Sequence, residues 1–226
     1  MVPQEHTLRA FDVDIAGMRR AVQEMGALAE RQVRRAVEAL LNADTGLGAQ
    51  VLAEERTLNA LHVQIDELCN RIIALRQPIA IDLREVIGVI HTINDLERIG
   101  DEAKKIALKA RTLPADLMLD LRPRLTVMVD QAADMVHRAV DGFLRHDATV
   151  AAELGVSDDA VDALRDELVD ALMARMSLYP QHVAATLDLI LAVQSVERVA
   201  DHAESIAEYV VHVVQGVDMR HGSQPR

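Results

Sequence analysis

The chain has 226 residues, 50% of them hydrophobic, and its 24 Lys and Arg against 36 Asp and Glu give a formal net charge of −12. It contains no Trp, two Phe and two Tyr, so aliphatic side chains must fill the core, which is typical of all-helical proteins. The acidic balance and the lack of a basic stripe argue against direct nucleic-acid binding, because that affinity depends on Lys and Arg neutralising phosphates.

Apolar residues recur at spacings of three and four along the chain, which predicts helices. Breaker residues such as Pro78 and Pro180 separate the periodic segments. The predicted helices cover residues 7–43, 81–110, 121–146, 147–177 and 182–216. One further helix, the second in chain order, follows the break at residues 42–46 and runs to residue 76.

The connections between consecutive helices are short within each half, which places those helices antiparallel. We therefore predict an all-α fold of two tandem, sequence-related three-helix bundles with an internal pseudo-two-fold repeat. The predicted domains are residues 1–113 and 114–226.

The repeat is visible in two segments 100 residues apart. Residues 94–107 (NDLERIGDEAKKIA) and 194–207 (QSVERVADHAESIA) are identical at six of fourteen positions and share the motif E-R-x-x-D. The match extends upstream to the D-E-L tripeptides at 66–68 and 166–168. A period near 100 residues exceeds the 20–50 residues of solenoid repeats and indicates a duplicated half.

Each motif holds a Glu and an Asp four residues apart, Glu97 with Asp101 and Glu197 with Asp201. On a helix such side chains share a face, with Cβ atoms about 5–6 Å apart, so the two charges repel and call for a cation. Helical phase also places the two glutamates on the apolar stripe, where an unpaired carboxylate is costly. We predict a metal site in each half.

The preceding helix in each half offers further ligands at a matching level. Folding the second helix back on the third brings His62 and Asp66 alongside the first motif, and Asp162 and Asp166 are the equivalents in the second half. His202 follows the second motif directly. Such oxygen-rich sites with some imidazole suit Mg²⁺, Ca²⁺, Mn²⁺, Fe or Zn²⁺. These five residues are secondary candidates.

The alternative interpretation is a set of surface ion pairs, because Lys104, Lys105 and the two motif arginines are close in sequence. The residues alone leave both interpretations open. The sequence has no Gly-rich phosphate loop, G-x-S-x-G, zinc-type Cys pairing or H-E-x-x-H, and no E-x-x-H of the di-iron oxidases. The absence of E-x-x-H counts against a redox enzyme.

Several of these segments together resemble a known family. Residues 76–84 (RQPIAIDLR) and 96–101 (LERIGD) in the first half, with 196–203 (VERVADHA) and 206–208 (IAE) in the second, resemble the PhoU family of bacterial phosphate-transport accessory and regulatory proteins. The resemblance covers nearly the whole chain in the same order and spacing. It implies two related three-helix bundles, as predicted above.

The resemblance also implies that the motifs bind metal, in some family members as multinuclear iron or zinc clusters. Carried over by position, it implicates Glu97, Asp101, Glu197 and Asp201, with Fe, Zn, Mn or Mg as the metal. Beside the motif, the halves differ at Asp95 against Ser195 and at Glu102 against His202, so the two sites need not hold the same metal or the same number of ions.

The resemblance implies that the chain is not an enzyme and that its function is negative regulation of the phosphate-starvation response. Such proteins are thought to act as adaptors between the ATPase side of a phosphate ABC transporter and a membrane sensor histidine kinase. Two further hypotheses stay open, a metal-storage or metal-responsive helical protein and a metal-dependent hydrolase. A monomer and a homodimer are both compatible with the duplicated halves.

We expect a cytoplasmic protein, held at the inner face of the membrane only through its partners. The first 30 residues carry charges without an apolar run between them, and no stretch approaches the roughly 20 apolar residues of a membrane span. The single cysteine, Cys69, permits no intrachain disulfide, which fits a reducing compartment.

Overall fold

The computed structural model describes residues 3–110 and 121–216. This part of the chain forms six long helices and no β-strand, which confirms the predicted all-α fold. The helices are α1 (Pro3–Asn42), α2 (Thr45–Arg76), α3 (Ala80–Ala107), α4 (Arg122–Arg145), α5 (Val150–Leu178) and α6 (Val183–Gln215), with a short 3₁₀ turn (Pro180–His182) before α6. The predicted boundary between residues 113 and 114 lies outside the described residues.

Consecutive helices within each half run antiparallel, as the short connections predict. In the first half, His62 on α2 lies 3.0 Å from Asn94 on α3, at the level expected from folding about the intervening turn. In the second half, Arg165 on α5 contacts Glu197 on α6 at 2.8 Å. Each half is thus a three-helix bundle.

Local side-chain chemistry sets the helix ends. The Asp44 carboxylate caps α2 by accepting a hydrogen bond from the Leu47 backbone N–H at 2.8 Å. The predicted start of α5 at residue 147 is three residues early, because the Asp147 carboxylate instead accepts from the backbone N–H and the hydroxyl of Thr149 and holds a turn. Gly216 ends α6 with a φ of +72°, as its position predicts.

The two halves pack against each other through antiparallel pairs, α3 with α6 and α1 with α4. Arg84 at the start of α3 donates to the Val213 carbonyl near the end of α6 at 3.0 Å, whereas Lys109, just beyond the end of α3, contacts Asp188 near the start of α6 at 3.0 Å. Gly88 permits this close approach, since a Cβ built there would lie 2.7 Å from a Val213 methyl carbon.

One continuous apolar core connects the two halves. The predicted apolar stripe of α1 lies in it, with Met18, Val22 and Met25 fully buried. Cys69 is also fully buried, and burial raises the pKa of its thiol to about 12, which leaves it unreactive at neutral pH. Within the described residues, we find no helix with the length and apolar character needed to span a bilayer.

Candidate metal centre

The two E-R-x-x-D motifs lie on equivalent helices, α3 and α6, and each faces the helix that precedes it in its own half. In the first half, the side chains of Glu97 and Asp101 are 31% and 34% exposed. The Glu97 carboxylate lies 3.8 Å from the guanidinium of the adjacent Arg98. These carboxylates therefore lie at the edge of the buried face, more accessible than their place on the apolar stripe predicts.

A lysine ammonium lies among the carboxylates of Glu55, Glu97 and Asp101, which we call the first cluster. Lys104 Nζ donates to Glu55 Oε1 across the α2–α3 interface at 3.0 Å and is 4.0 Å from Asp101 Oδ1. This hydrogen bond lowers the pKa of Glu55 and raises the pKa of Lys104. Ion pairs of the kind that the alternative interpretation predicts are therefore present in this half.

The two secondary candidates of the first half each contact a neutral amide. His62 Nε2 faces the Asn94 side chain, and the Asp66 carboxylate accepts from the Asn70 amide at 3.1 Å. Each of these side chains keeps a further atom that could act as a ligand, the second carboxylate oxygen of Asp66 and the second ring nitrogen of His62.

The second cluster, which we define as the carboxylates that interact around the second motif, has a guanidinium on one side. Its members are Asp158, Asp162, Asp166, Glu197, Asp201 and Glu204. Arg165 on α5 donates to Glu197 Oε1 at 2.8 Å and lies 3.4 Å from Asp162 and 3.1 Å from Asp166. The Glu197 side chain is 17% exposed, roughly half the exposure of Glu97. The structure therefore brings three of the predicted residues, Glu197, Asp162 and Asp166, together around the guanidinium of Arg165.

The carboxylates of the second half are crowded, and Arg165, Arg198 and His202 compensate their charges only in part. Burial raises the pKa of Asp201, Glu197 and Glu204, and neighbouring carboxylates raise each further. Asp158 on α5 shows the largest effect, since burial, followed by the charges of Glu204 and Asp201, raises its pKa to about 7. The Asp158 Oδ1 atom is buried and has no hydrogen-bond partner.

Sequence reasoning missed Asp158 and Glu204, although a signal was present. Asp158 precedes Asp162 by four residues and Glu204 follows Asp201 by three, so each lies on the same helical face as a predicted candidate. Charged residues are common on helix surfaces, and only the packing of α5 on α6 shows that these two meet.

The last secondary candidate, His202, points away from the cluster. Its Nδ1 lies 2.9 Å from the Asp95 carboxylate on α3, so this residue connects the two halves. Arg198 similarly reaches across to Glu102 at 3.6 Å. The positions beside the motif that differ between the halves, Asp95, Glu102 and His202, therefore form contacts between α3 and α6.

Within residues 3–110 and 121–216, no three His, Cys, Asp or Glu side chains are arranged to hold a metal ion. The donor chemistry nevertheless fits a hard cation in the second half, because facing helices supply carboxylates and the Asp158 oxygen lacks a partner. Metal binding there requires side-chain rotation within the cluster.

The fold and the site define a class: all-α proteins of two pseudo-symmetric three-helix bundles with a carboxylate motif in each. The family model described as "PhoU domain" matches residues 22–110 and 125–210, once in each half. The chain belongs to the PhoU family, as its motifs indicated.

Relatives match over almost their full length. The phosphate-specific transport system accessory protein PhoU homolog of Pseudomonas aeruginosa is 39% identical over 220 residues, covering 96% of this chain and 90% of the relative. The corresponding PhoU of Escherichia coli K12 is 33% identical over 217 residues, with 96% and 90% covered.

Two solved structures share the fold. The crystal structure of PhoU from Pseudomonas aeruginosa superposes with a TM-score of 0.84 at 37% identity, covering 92% of this chain and 100% of that one. The PhoU phosphate transport system regulatory protein of Streptococcus pneumoniae also gives 0.84, at 23% identity, with 92% and 99% covered.

Proposed function

We propose that this chain is a cytoplasmic, non-enzymatic, metal-binding regulator that restrains phosphate uptake when phosphate is plentiful. The observation that carries the proposal is the match of the family in each half, together with 39% identity to a phosphate-specific transport accessory protein. Its proposed partners are a phosphate ABC transporter, on its ATPase side, and a membrane sensor histidine kinase.

The metal-binding part of the proposal is supported by the carboxylate motifs. Glu197 and Asp201 on α6, with Asp162 on α5, would hold a divalent or trivalent ion such as Fe, Zn, Mn or Mg. The ion would neutralise carboxylates that now repel one another, and so fix α5 against α6. Glu97 and Asp101 are the equivalent candidates in the first half.

The adaptor part is supported by large apolar side chains exposed at two helix connections. Ile79 before α3 is 76% exposed, and Leu178 at the end of α5 is 71% exposed. Because α3 and α6 run antiparallel, these connections lie at opposite ends of the molecule. An adaptor with two partners could use one group at each end, Leu75, Ile79 and Ile81 at the first connection and Leu178, Tyr179 and Val183 at the second, all of which are exposed.

The regulatory role is tested by deleting the gene and measuring a phosphate-repressed reporter in phosphate-rich medium. We expect constitutive expression in the deletion strain, and repression again when the wild-type gene is returned. An unchanged phosphate response in the deletion strain would contradict the regulatory role.

The adaptor role is tested by co-purification with the transporter ATPase and the kinase. We expect Ile79→Lys and Leu178→Lys each to lose one partner and keep the other, because each change places a charge on one end only. Val127→Lys is the matched control, since Val127 is 48% exposed on the surface of α4. Retention of both partners by both end variants would argue against two-ended docking.

A further inference from the structure

The two outer helices of the fold, α2 and α5, bury far fewer residues than the helices on which they pack. Five of the 29 residues of α5 and six of the 32 residues of α2 are buried, against 14 of the 33 residues of α6. The main contacts of α2 are with α1 and α3, and those of α5 are with α4 and α6. Because a helix with few buried side chains costs least to separate, α2 and α5 are the candidates for local opening.

The helix α2 is held in place by a side chain that interlocks with α3. Leu58 is fully buried, and a Cβ built on Gly100 would lie only 2.2 Å from Leu58 Cδ2. The absence of a side chain at Gly100 therefore provides the space that Leu58 fills. Ile65, two turns further along the same face of α2, is also fully buried. The middle of α2 thus contributes two successive apolar layers to the core.

The middle of α5 lacks these two layers. At the offset of 100 residues, the counterparts of the two buried α2 residues are Asp158 and Arg165. The counterpart of Gly100 is Ala200, which has the Cβ that the glycine lacks. The second half therefore has charged residues, and no interlocking side chain, where the first half has its tightest contact.

The apolar side chains at the margins of the two contacts differ in the same direction. Each outer helix buries five apolar side chains completely, so the difference lies in those that are partly buried against the core. On α2 these are all large, whereas on α5 half of them are alanines: Leu52, Leu61, Leu68 and Ile73 on α2, and Ala151, Leu164, Val169 and Ala171 on α5. The contact of α5 therefore removes less apolar surface from water.

Separation of α5 also hydrates a polar atom that is unpaired in the closed structure. Asp158 Oδ1 is buried and has no hydrogen-bond partner. Water reaches this oxygen once α5 leaves α6, which removes the cost of its burial. Separation of α2 instead exposes Leu58 and Ile65 to water, which raises the cost of opening in the first half.

Ion pairs near the motifs are comparable on the two outer helices. Arg165 on α5 donates to Glu197 at 2.8 Å, and Lys104 donates to Glu55 on α2 at 3.0 Å. Opening of either helix breaks one such contact. The difference in the free energy of opening therefore comes from the apolar layers and from Asp158.

We propose that α5 is a strap over the second motif, which separates from α4 and α6 as a unit while the other five helices stay packed. The connections at residues 146–149 and 179–182 are its hinges. Opening uncovers the surface of α6 that carries Glu197 and Asp201, whereas α2 stays closed over the first motif. The strap is a property of the packing, and it depends neither on bound metal nor on the regulatory role.

Hydrogen exchange of the whole native chain, followed by mass spectrometry with a chelator present, tests the strap directly. Exchange is measured at several urea concentrations below the unfolding transition. We expect the α5 amides to exchange through an opening at least about tenfold more populated than that of α2, and the α6 amides to exchange only on global unfolding. Equal populations of the α5 and α2 openings, or exchange of α5 only on global unfolding, would overturn the proposal.

The variant that closes the strap is Asp158→Ala, which removes the unpaired carboxylate without adding a side chain that Ala200 would exclude. It should lower the population of the α5 opening about tenfold and leave the α2 opening unchanged. Asp159→Ala is the matched control, because it makes the same change in charge and helix propensity at the exposed adjacent position and should have an effect below about threefold. Circular dichroism shows whether both variants are folded. Equal effects of the two variants on α5 exchange would also overturn the proposal.

Discussion

At the scale of single residues, Asp158 shows how packing changes side-chain chemistry. Its pKa is raised to about 7 from an ordinary 3.8 by burial and by nearby carboxylates, Glu204 foremost. The folded protein therefore holds this proton over a pH range in which the unfolded chain has released it. Because the folded state binds more protons there, the free energy of unfolding falls as pH rises from about 4 to 7.

Replacing this carboxyl with an amide should stabilise the metal-free protein near neutral pH. We expect Asp158→Asn to raise the free energy of unfolding at pH 7.5 by about 1–2 kcal/mol, a value reduced for solvent screening, and to change it little at pH 4.5. Urea unfolding with a chelator present measures both values. The exposed neighbour gives the control, since Asp159→Asn should keep the wild-type pH dependence. An unaltered pH dependence in Asp158→Asn would refute this account of the cluster.

At the scale of helices, one buried carboxylate connects three of them. Glu85 on α3 has a side chain only 5% exposed and accepts two hydrogen bonds from Arg19 on α1, at 2.6 and 2.8 Å. His146, at the end of α4, lies 3.4 Å from the same carboxylate. A buried carboxylate of this kind is tolerated because the guanidinium of Arg19 is hydrogen-bonded to it.

Removing the arginine should therefore leave an uncompensated buried charge. We expect Arg19→Ala to lower the free energy of unfolding by about 3 kcal/mol, and Glu85→Gln to recover part of that loss in the double variant. Arg20→Ala, at the exposed adjacent position, should stay within about 0.5 kcal/mol of wild type. Equal effects of the Arg19 and Arg20 changes in urea unfolding would contradict the buried-pair account.

The contact between α3 and α6 also depends on a glycine, because any side chain at position 88 would collide with the neighbouring residues. A Cβ at Gly88 would lie 2.7 Å from a Val213 methyl carbon and 3.1 Å from a Phe143 ring carbon, so Gly88→Ala should destabilise the protein by about 1–3 kcal/mol. Gly17 on α1 has nothing within 4 Å of its Cβ position, so Gly17→Ala should stabilise by up to about 1 kcal/mol through helix propensity. Thermal unfolding of the two variants measures both stability changes, which should have opposite signs. An increase in stability in Gly88→Ala would contradict close packing at this position.

At the scale of the whole molecule, periodicity and the internal repeat were enough to predict six helices in two related bundles, because these are local and pairwise signals. Side-chain contacts between helices were not predictable in this way. The pairing of Lys104 with Glu55 depends on the register between α2 and α3, and the contact of His202 with Asp95 depends on the antiparallel packing of the halves. The motif positions were therefore found from the sequence, whereas the difference between the two clusters required the structure.

Under the proposed function, metal bound at Glu197 and Asp201 would be needed for regulation. The most direct test is a phosphate-repressed reporter, measured in phosphate-rich medium in a deletion strain that carries Glu197→Gln/Asp201→Asn. We predict expression as high as in the deletion strain, although the variant accumulates to the wild-type level. Repression equal to that of the wild-type gene would contradict the account.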